Sequence, residues 1–159
     1  MTIRILCVGR LKENFYQAAM TEFTKRMSRF AKVEICEVAD EKAPESLSES
    51  QRLQVMEKEG ERLLARIDKN DFVAALCIDG VRLSSEKLAK RLDDWMLEGK
   101  SSISFVIGGS LGLSKQVVDR ADFKLSFSDM TFSHQLIRVM LIEQIYRAFK
   151  IIRGEPYHK

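Results

Sequence analysis

Apolar and polar positions follow two rhythms along this chain, and the two take turns. Ile3 to Val8 is an apolar run that stops at Gly9, the pattern of a buried strand. From Asn14 to Phe30, Phe15, Ala18, Ala19, Phe23 and Met27 recur at helical spacing and mark one face. Val33 to Val38 alternates and predicts a more exposed strand; Asp40 to Leu47, with Pro44, reads as a loop. Ser48-x-x-Gln51 is a capping-box pattern, so a second helix starts there and runs to about Ile67. Its Glu57, Lys58, Glu59, Glu61 and Arg62 read as a solvated face. Phe72 to Ile78 is a near-continuous apolar run, expected as a central parallel strand that ends at Asp79-Gly80. Ser84 or Ser85 caps a third helix carrying Leu88, Leu92, Trp95 and Met96. Ile103 to Ile107 is the next strand, Leu113 to Val118 a short helix, Phe123 to Phe127 a fifth strand, and Ser133 to Ile152 a long closing helix.

Strands alternating with helices predict an α/β fold: a mostly parallel sheet with helices on both faces. No internal repeat or linker interrupts the pattern, so one domain is expected over 1–159. The strand ends at Val8-Gly9, Asp79-Gly80 and Ile107-Gly108 should share one rim of the sheet. The closing helix is apolar over most of its circumference. Leu136, Met140 and Phe149 lie on one side, and Ile137, Leu141, Ile145 and Ile152 on another. That pattern predicts a homodimer in which a second copy covers one side; a central helix inside a monomer is the alternative.

Composition adds bounds. The chain has 159 residues, 45% of them hydrophobic and 31% charged, enough for a real core. A net charge of +3 does not suggest a protein that coats nucleic acid by charge alone, but it permits a local basic patch. Cys7, Cys36 and Cys77 lie far apart and are odd in number. This argues against a disulfide framework and against a metal site, and predicts reduced, buried thiols in a cytoplasmic protein. No apolar run has membrane-spanning length, and a strand beginning beside Met1 predicts no signal peptide and no membrane association.

Candidate chemistry gathers late in the chain. In Ile107-Gly108-Gly109-Ser110-Leu111-Gly112 a strand opens into glycines, where a ligand can lie against bare backbone. Adjacent Gly108 and Gly109 do not match G-x-G-x-x-G, and no G-K-[ST] follows. Taken alone the block is equally a tight strand-to-helix turn. Phe127-Ser128-Asp129-Met130-Thr131-Phe132-Ser133-His134 is either a cap for the closing helix or a second wall of the same site. His134, in the first turn of that helix, has the structural reading. Arg138, Arg147, Lys150, Arg153 and Lys159 face only Glu143 and Glu155 in the final segment, with Tyr146, Phe149 and Tyr157 interleaved. This suits phosphate contacts and base stacking, or else a solvated face with a Glu143–Arg147 pair. The tail Gly154-Glu155-Pro156-Tyr157-His158-Lys159 follows a buried helix and is expected to be docked.

Together these segments resemble one family. Phe105-Val-Ile-Gly-Gly-Ser-Leu-Gly-Leu-Ser114 is similar to its glycine signature. Met130-Thr-Phe-Ser-His134, Arg138-Val139, Leu141-Ile-Glu-Gln-Ile-Tyr-Arg-Ala148 and Pro156-Tyr-His-Lys159 are similar to its C-terminal signature. The family is the ribosomal RNA large-subunit methyltransferase H group of the SPOUT superfamily, and the resemblance runs the length of the chain. It implies an α/β fold with a C-terminal trefoil knot and a homodimer. It also implies S-adenosylmethionine as cofactor, held by Leu76, Gly108, Phe127, Ser128, Asp129, Met130, Thr131 and Phe132. The implied acceptor is N3 of a pseudouridine in a stem-loop of 23S rRNA, within the assembled ribosome. Ser133 departs from the proline the family often carries there, which removes a stiffening ring but no polar group. For the chemistry, His158 is the candidate base and Arg147 the cation beside a developing anion. Tyr157 is placed to stack on the base or hydrogen-bond it, Glu143 to orient Arg147, and Arg138 to contact phosphate or brace the dimer. No metal is called for. Two rivals remain: a non-catalytic ribosome-associated binding factor, and a nucleotide-dependent oxidoreductase, which lacks the early glycine fingerprint.

Overall fold

A computed structural model describes residues 1–159. Its strands are β1 (Thr2–Val8), β2 (Lys32–Val38), β3 (Phe72–Arg82), β4 (Ser102–Ile107) and β5 (Phe123–Ser126). Its helices are α1 (Asn14–Met27), α2 (Glu49–Leu64), α3 (Ser85–Leu97), α4 (Lys115–Arg120) and α5 (Leu136–Ile152). The strands form one sheet in the order β2-β1-β4-β3-β5, and every neighbouring pair is parallel.

The two central strands explain why their sequences read as continuous apolar runs. Along β1, Ile3, Ile5 and Cys7 enter a large core beneath α1, α3 and α5, while Leu6 and Val8 enter a smaller one beneath α2 and α4. Ile103, Phe105 and Ile107 of β4 alternate with Val106 in the same way. Helices therefore cover both faces, as the alternation of elements predicts. β2 is an edge strand and the more exposed one, also as expected.

Helix starts follow their caps. Ser48 Oγ accepts from the Gln51 N–H, and Gln51 Oε1 accepts from the Ser48 N–H, so the capping box forms. Ser84 caps α3; the Ser85 hydroxyl instead donates to Gln144 Oε1 at 2.7 Å. α5 starts at Leu136 rather than Ser133, because Ser133 Oγ accepts the Leu136 N–H at 3.1 Å and holds residues 133–135 outside the helix.

Two expectations are corrected. β3 does not end at Asp79-Gly80 but runs on to Arg82. Leu76 and Val81 both pair with Leu125, so the intervening residues form an irregularity in the strand. A Cβ on Gly80 would lie 2.7 Å from the Leu125 carbonyl carbon, and this close approach to β5 is why glycine stands there. The thiols are not all buried: Cys36 and Cys77 are partly exposed, whereas burial pushes Cys7 up to about 12. The closing helix α5 finds most of its cover within its own chain, which leaves the homodimer expectation open. Leu141, Ile142, Ile145, Tyr146, Ala148 and Phe149 are buried against α1, α3 and the sheet, and Leu136 is left exposed. No helix is long and apolar enough to cross a membrane.

Candidate active site

The carboxyl ends of β4 and β5 and the middle of β3 converge on a cavity of about 660 Å³, within the range of small-molecule sites. Three walls enclose it. The first is the glycine turn after β4. Gly112 donates its N–H to the Gly109 carbonyl at 3.1 Å, so the chain doubles back. A Cβ on Gly108 would lie 2.5 Å from the Gly112 carbonyl carbon, and Gly112 itself has φ +89°. These positions demand glycine. The second wall is the segment between β5 and α5, shaped by its own hydroxyls: Ser126 Oγ donates to the Ser128 carbonyl at 3.2 Å, and Ser128 Oγ accepts from the Met130 N–H at 3.0 Å. Leu76, Cys77 and Ile78 form the third, where β3 departs from regular pairing.

Of the residues that the resemblance assigns to the cofactor, Leu76, Gly108, Phe127, Ser128, Met130, Thr131 and Phe132 line the cavity. Asp129 does not. Its carboxylate turns outward and accepts from Arg82 Nη1 at 2.5 Å. The lining mixes apolar side chains with hydroxyls and bare backbone, so it can hold a flat apolar ring beside a polar group. Just beyond, Gln135 Oε1 is a buried acceptor without a partner.

Charged groups stand behind these walls. Arg138 is wholly buried. Its Nη2 donates to the carbonyls of Val8 (2.7 Å) and Gly9 (2.9 Å), its Nε to the His134 carbonyl (3.1 Å), and its Nη1 to Glu37 (3.1 Å). Instead of meeting phosphate or a second copy, Arg138 ties the end of β1 to the start of α5. His134 lines the cavity, and burial together with Arg138 holds its imidazole below the ordinary histidine value. Glu59 is not on a solvated face. It is 4% exposed, and its carboxylate lies 3.0 Å from where a Gly109 Cβ would be. Burial pushes that carboxyl up, although its Oε2 accepts from the Glu41 N–H at 3.1 Å.

The four candidate catalytic side chains form a second cluster. Glu143 Oε1 accepts from Arg147 Nη2 (2.7 Å), Arg147 Nε (3.1 Å) and the Tyr157 hydroxyl (3.0 Å). The Arg147 guanidinium lies 4.6 Å from the centre of the Tyr157 ring. Arg147 Nη1 is 3.3 Å from His158 Nδ1, and His158 Nε2 is 2.7 Å from Glu86 Oε1. An arginine can only donate, so His158 Nδ1 accepts and its Nε2–H donates to Glu86. Glu86 was not legible in the sequence, where an acid in the first turn of a helix is explained by the helix dipole. Its own backbone N–H, His158 and Ser84 together hold it down at about 2. Tyr157 is pushed up by burial and by Glu143.

The cluster and the cavity do not meet. Ile137 lines the cavity, and Arg147 lies farther along α5 by roughly 15 Å, at about 1.5 Å per residue. No group of His, Cys, Asp and Glu that could hold a metal ion occurs in the chain.

Residues 1–158 match the family model described as "Predicted SPOUT methyltransferase". The chain is 57% identical to the ribosomal RNA large subunit methyltransferase H of Bifidobacterium animalis subsp. lactis, over 100% of both chains. It is 55% identical to the protein of the same name from Clostridium novyi, again over 100% of both. Among solved structures it is similar to a probable methylase family protein from Haemophilus influenzae Rd KW20, with a TM-score of 0.53 at 12% identity, covering 99% of this chain and 70% of that one. The last likeness concerns the fold alone.

Proposed function

This chain belongs to the SPOUT methyltransferase family, and from that membership we propose that it methylates N3 of a pseudouridine in 23S rRNA of the assembled ribosome, with S-adenosylmethionine as donor. Relatives named for large-subunit ribosomal RNA support the substrate class. The observation that carries the donor is the cavity at the carboxyl rim, bounded by the glycine turn and by 127–132. Its volume and its mixture of apolar walls, hydroxyls and open backbone suit an adenosyl group with a polar tail. Leu76 and Phe127 would pack the ring, and Gly108 with Ser128 to Phe132 would present backbone groups. When bound, S-adenosylmethionine supplies an electrophilic methyl group on sulfur. The knotted path of the C-terminal half belongs to the same proposal.

N3 of pseudouridine carries a proton at neutral pH, which must leave as the new bond forms. In the docked tail the basic nitrogen of His158 is Nδ1, and Arg147 covers it. Moving Arg147 from His158 onto the pyrimidine would therefore do two things at once. It would uncover the base and place a cation against the developing anion. Glu143 limits that movement by holding Nε and Nη2. Tyr157, fixed by Glu143, offers its ring to the target base. The separation between cluster and cavity favours a homodimer in which a second copy's tail completes each site. Exposed Ile78, Val81, Met130 and Leu136 supply apolar surface for such an interface.

The test is to incubate the protein with labelled S-adenosylmethionine and ribosomes lacking the modification, with and without prior pseudouridylation, and to map the label. Label at N3 of one 23S pseudouridine, absent without pseudouridylation, is expected. Binding of ribosomes without transfer would leave a non-catalytic factor.

A further inference from the structure

We propose that the carboxyl-terminal turn of α1 and the end of α5 form one basic ridge that grips the sugar–phosphate backbone of the RNA substrate beside the tail cluster. The inference rests on the rRNA methylation reading above and adds where the RNA lies. Its first support is a charge asymmetry. Residues 22–32 and 147–159 together hold eight lysines and arginines against two glutamates, while the whole chain has a net charge of +3. The rest of the protein is thus net acidic, and the positive excess is concentrated in two short segments.

The fold packs these segments side by side. Arg29 Nη2 donates to Glu155 Oε1 at 2.8 Å, and Lys150 Nζ donates to Glu155 Oε2 at 2.6 Å, so one tail carboxylate joins both helices. The Arg26 guanidinium lies 5.4 Å from the Phe23 ring centre and 6.0 Å from that of Tyr146, and the Tyr146 ring meets Tyr157 edge-on at 4.9 Å. The ridge is therefore continuous with the cluster of Arg147, Tyr157 and His158.

Lys25, Arg26, Arg29, Arg153 and Lys159 are exposed. Arg26 spends one N–H on Glu22, and Arg29 one on Glu155, which leaves most of each guanidinium's donors uncommitted. Both arginines also rest against aromatic faces, Arg29 lying 4.9 Å from the Phe30 ring centre, and this orders them before any ligand arrives. Ion pairs this exposed hold little energy, so a phosphate can replace the carboxylate at small cost. An ordered row of arginines and lysines beside a stacking aromatic is the chemistry that holds RNA backbone while a base is presented.

The test measures binding without relying on methyl transfer. Wild type, Lys25→Gln/Arg29→Gln, Arg153→Gln, and the control Lys58→Gln/Lys69→Gln on the exposed face of α2 and its following loop are co-sedimented with assembled ribosomes across a salt series. Melting and S-adenosylmethionine calorimetry on each check the fold and the cavity. The α1 double variant is expected to bind ribosomes about tenfold more weakly at physiological salt. Its log–log salt slope should be shallower by about 1 to 2, since each lost phosphate contact removes close to one released ion. Arg153→Gln should show a smaller change of the same sign, and the control none. The ridge is overturned if both ridge variants keep the wild-type affinity and slope, if wild type does not bind ribosomes, or if anionic lipid vesicles compete the ribosomes away. Wild type that binds ribosomes with a ridge-dependent slope yet transfers no methyl would instead overturn the methylation reading.

Discussion

The two ends of α5 serve different parts of this molecule, and the parts are made of different materials. At the start of the helix, two of the cavity's three walls take their shape from backbone, a glycine turn that folds on itself and a loop shaped by its own serines, and apolar side chains fill in the lining. Near its end, the tail cluster is made of side chains, five of them linked by hydrogen bonds from Tyr157 to Glu86. Backbone walls cannot titrate or swing, and they suit a small molecule that must be held in one pose. Charged side chains can exchange partners, which suits proton transfer and a polyanionic substrate. Separating the two in one chain lets each be optimised alone.

The sharpest way to break this comparison is to damage each region and read both. Arg147→Ala should lower methyl transfer by about 10² to 10³, the cost of losing a charge donor at a developing anion, while S-adenosylmethionine affinity in calorimetry stays at the wild-type value. Gly108→Ala should do the reverse at the first step. Its Cβ would lie 2.5 Å from the Gly112 carbonyl carbon, so the turn must open, and the calorimetric signal should be lost. If Arg147→Ala also abolished cofactor binding, the division between the regions would be wrong.

A smaller effect concerns how the tail is held. Glu86 is depressed to about 2 by its own backbone N–H, by His158 and by Ser84. Its own backbone amide is the largest cause, so only the part that His158 supplies stabilises the docked tail; that part is present above the ordinary value of 4.5 and is lost as pH falls towards 2. Glu86→Ala should therefore speed hydrogen exchange at residues 155–158 at neutral pH by several fold, and remove the acid-dependent part of the wild-type exchange profile between pH 4.5 and 2. Equal exchange in variant and wild type would show that the buried Tyr146–Tyr157 contact, not the ion pair, holds the tail.

The same contrast governs what could be read from the residues alone. The cavity was legible because its chemistry is local: adjacent glycines after an apolar strand, and a run of Ser, Thr and Asp before a helix. Within it, Asp129 failed, since sequence proximity cannot say that its carboxylate turns out to Arg82. Arg147, Glu143, Tyr157 and His158 were legible through helical spacing and an unusual tail. Their partner Glu86 was not, because it comes from a different helix. The run of β3 past Gly80 was hidden for a similar reason: the glycine that reads as a strand end is needed for approach to β5. Arg138 looked like a surface cation because nothing nearby in sequence shows the carbonyls of Val8 and Gly9 that absorb its donors.

Glu59 offers the subtlest test, because it puts a charge behind a wall described above as backbone. Burial raises its carboxyl pKa above the ordinary 4.5. A raised carboxyl contributes stability that is complete below the unfolded value and is lost as pH rises through the folded one. Glu59→Gln retains an acceptor for the Glu41 N–H and removes the titration. Its melting temperature should match wild type near pH 4 and exceed it by a few degrees at pH 7, with unchanged S-adenosylmethionine affinity. A variant less stable than wild type at pH 7 would mean that the ionised carboxylate is held by more than the single Glu41 amide, with the neighbouring glycine turn, whose Gly109 leaves no room for a Cβ beside it, as the candidate to supply it. The cavity would then rest on a buried charge as much as on backbone, and its affinity should weaken as Glu59 is protonated.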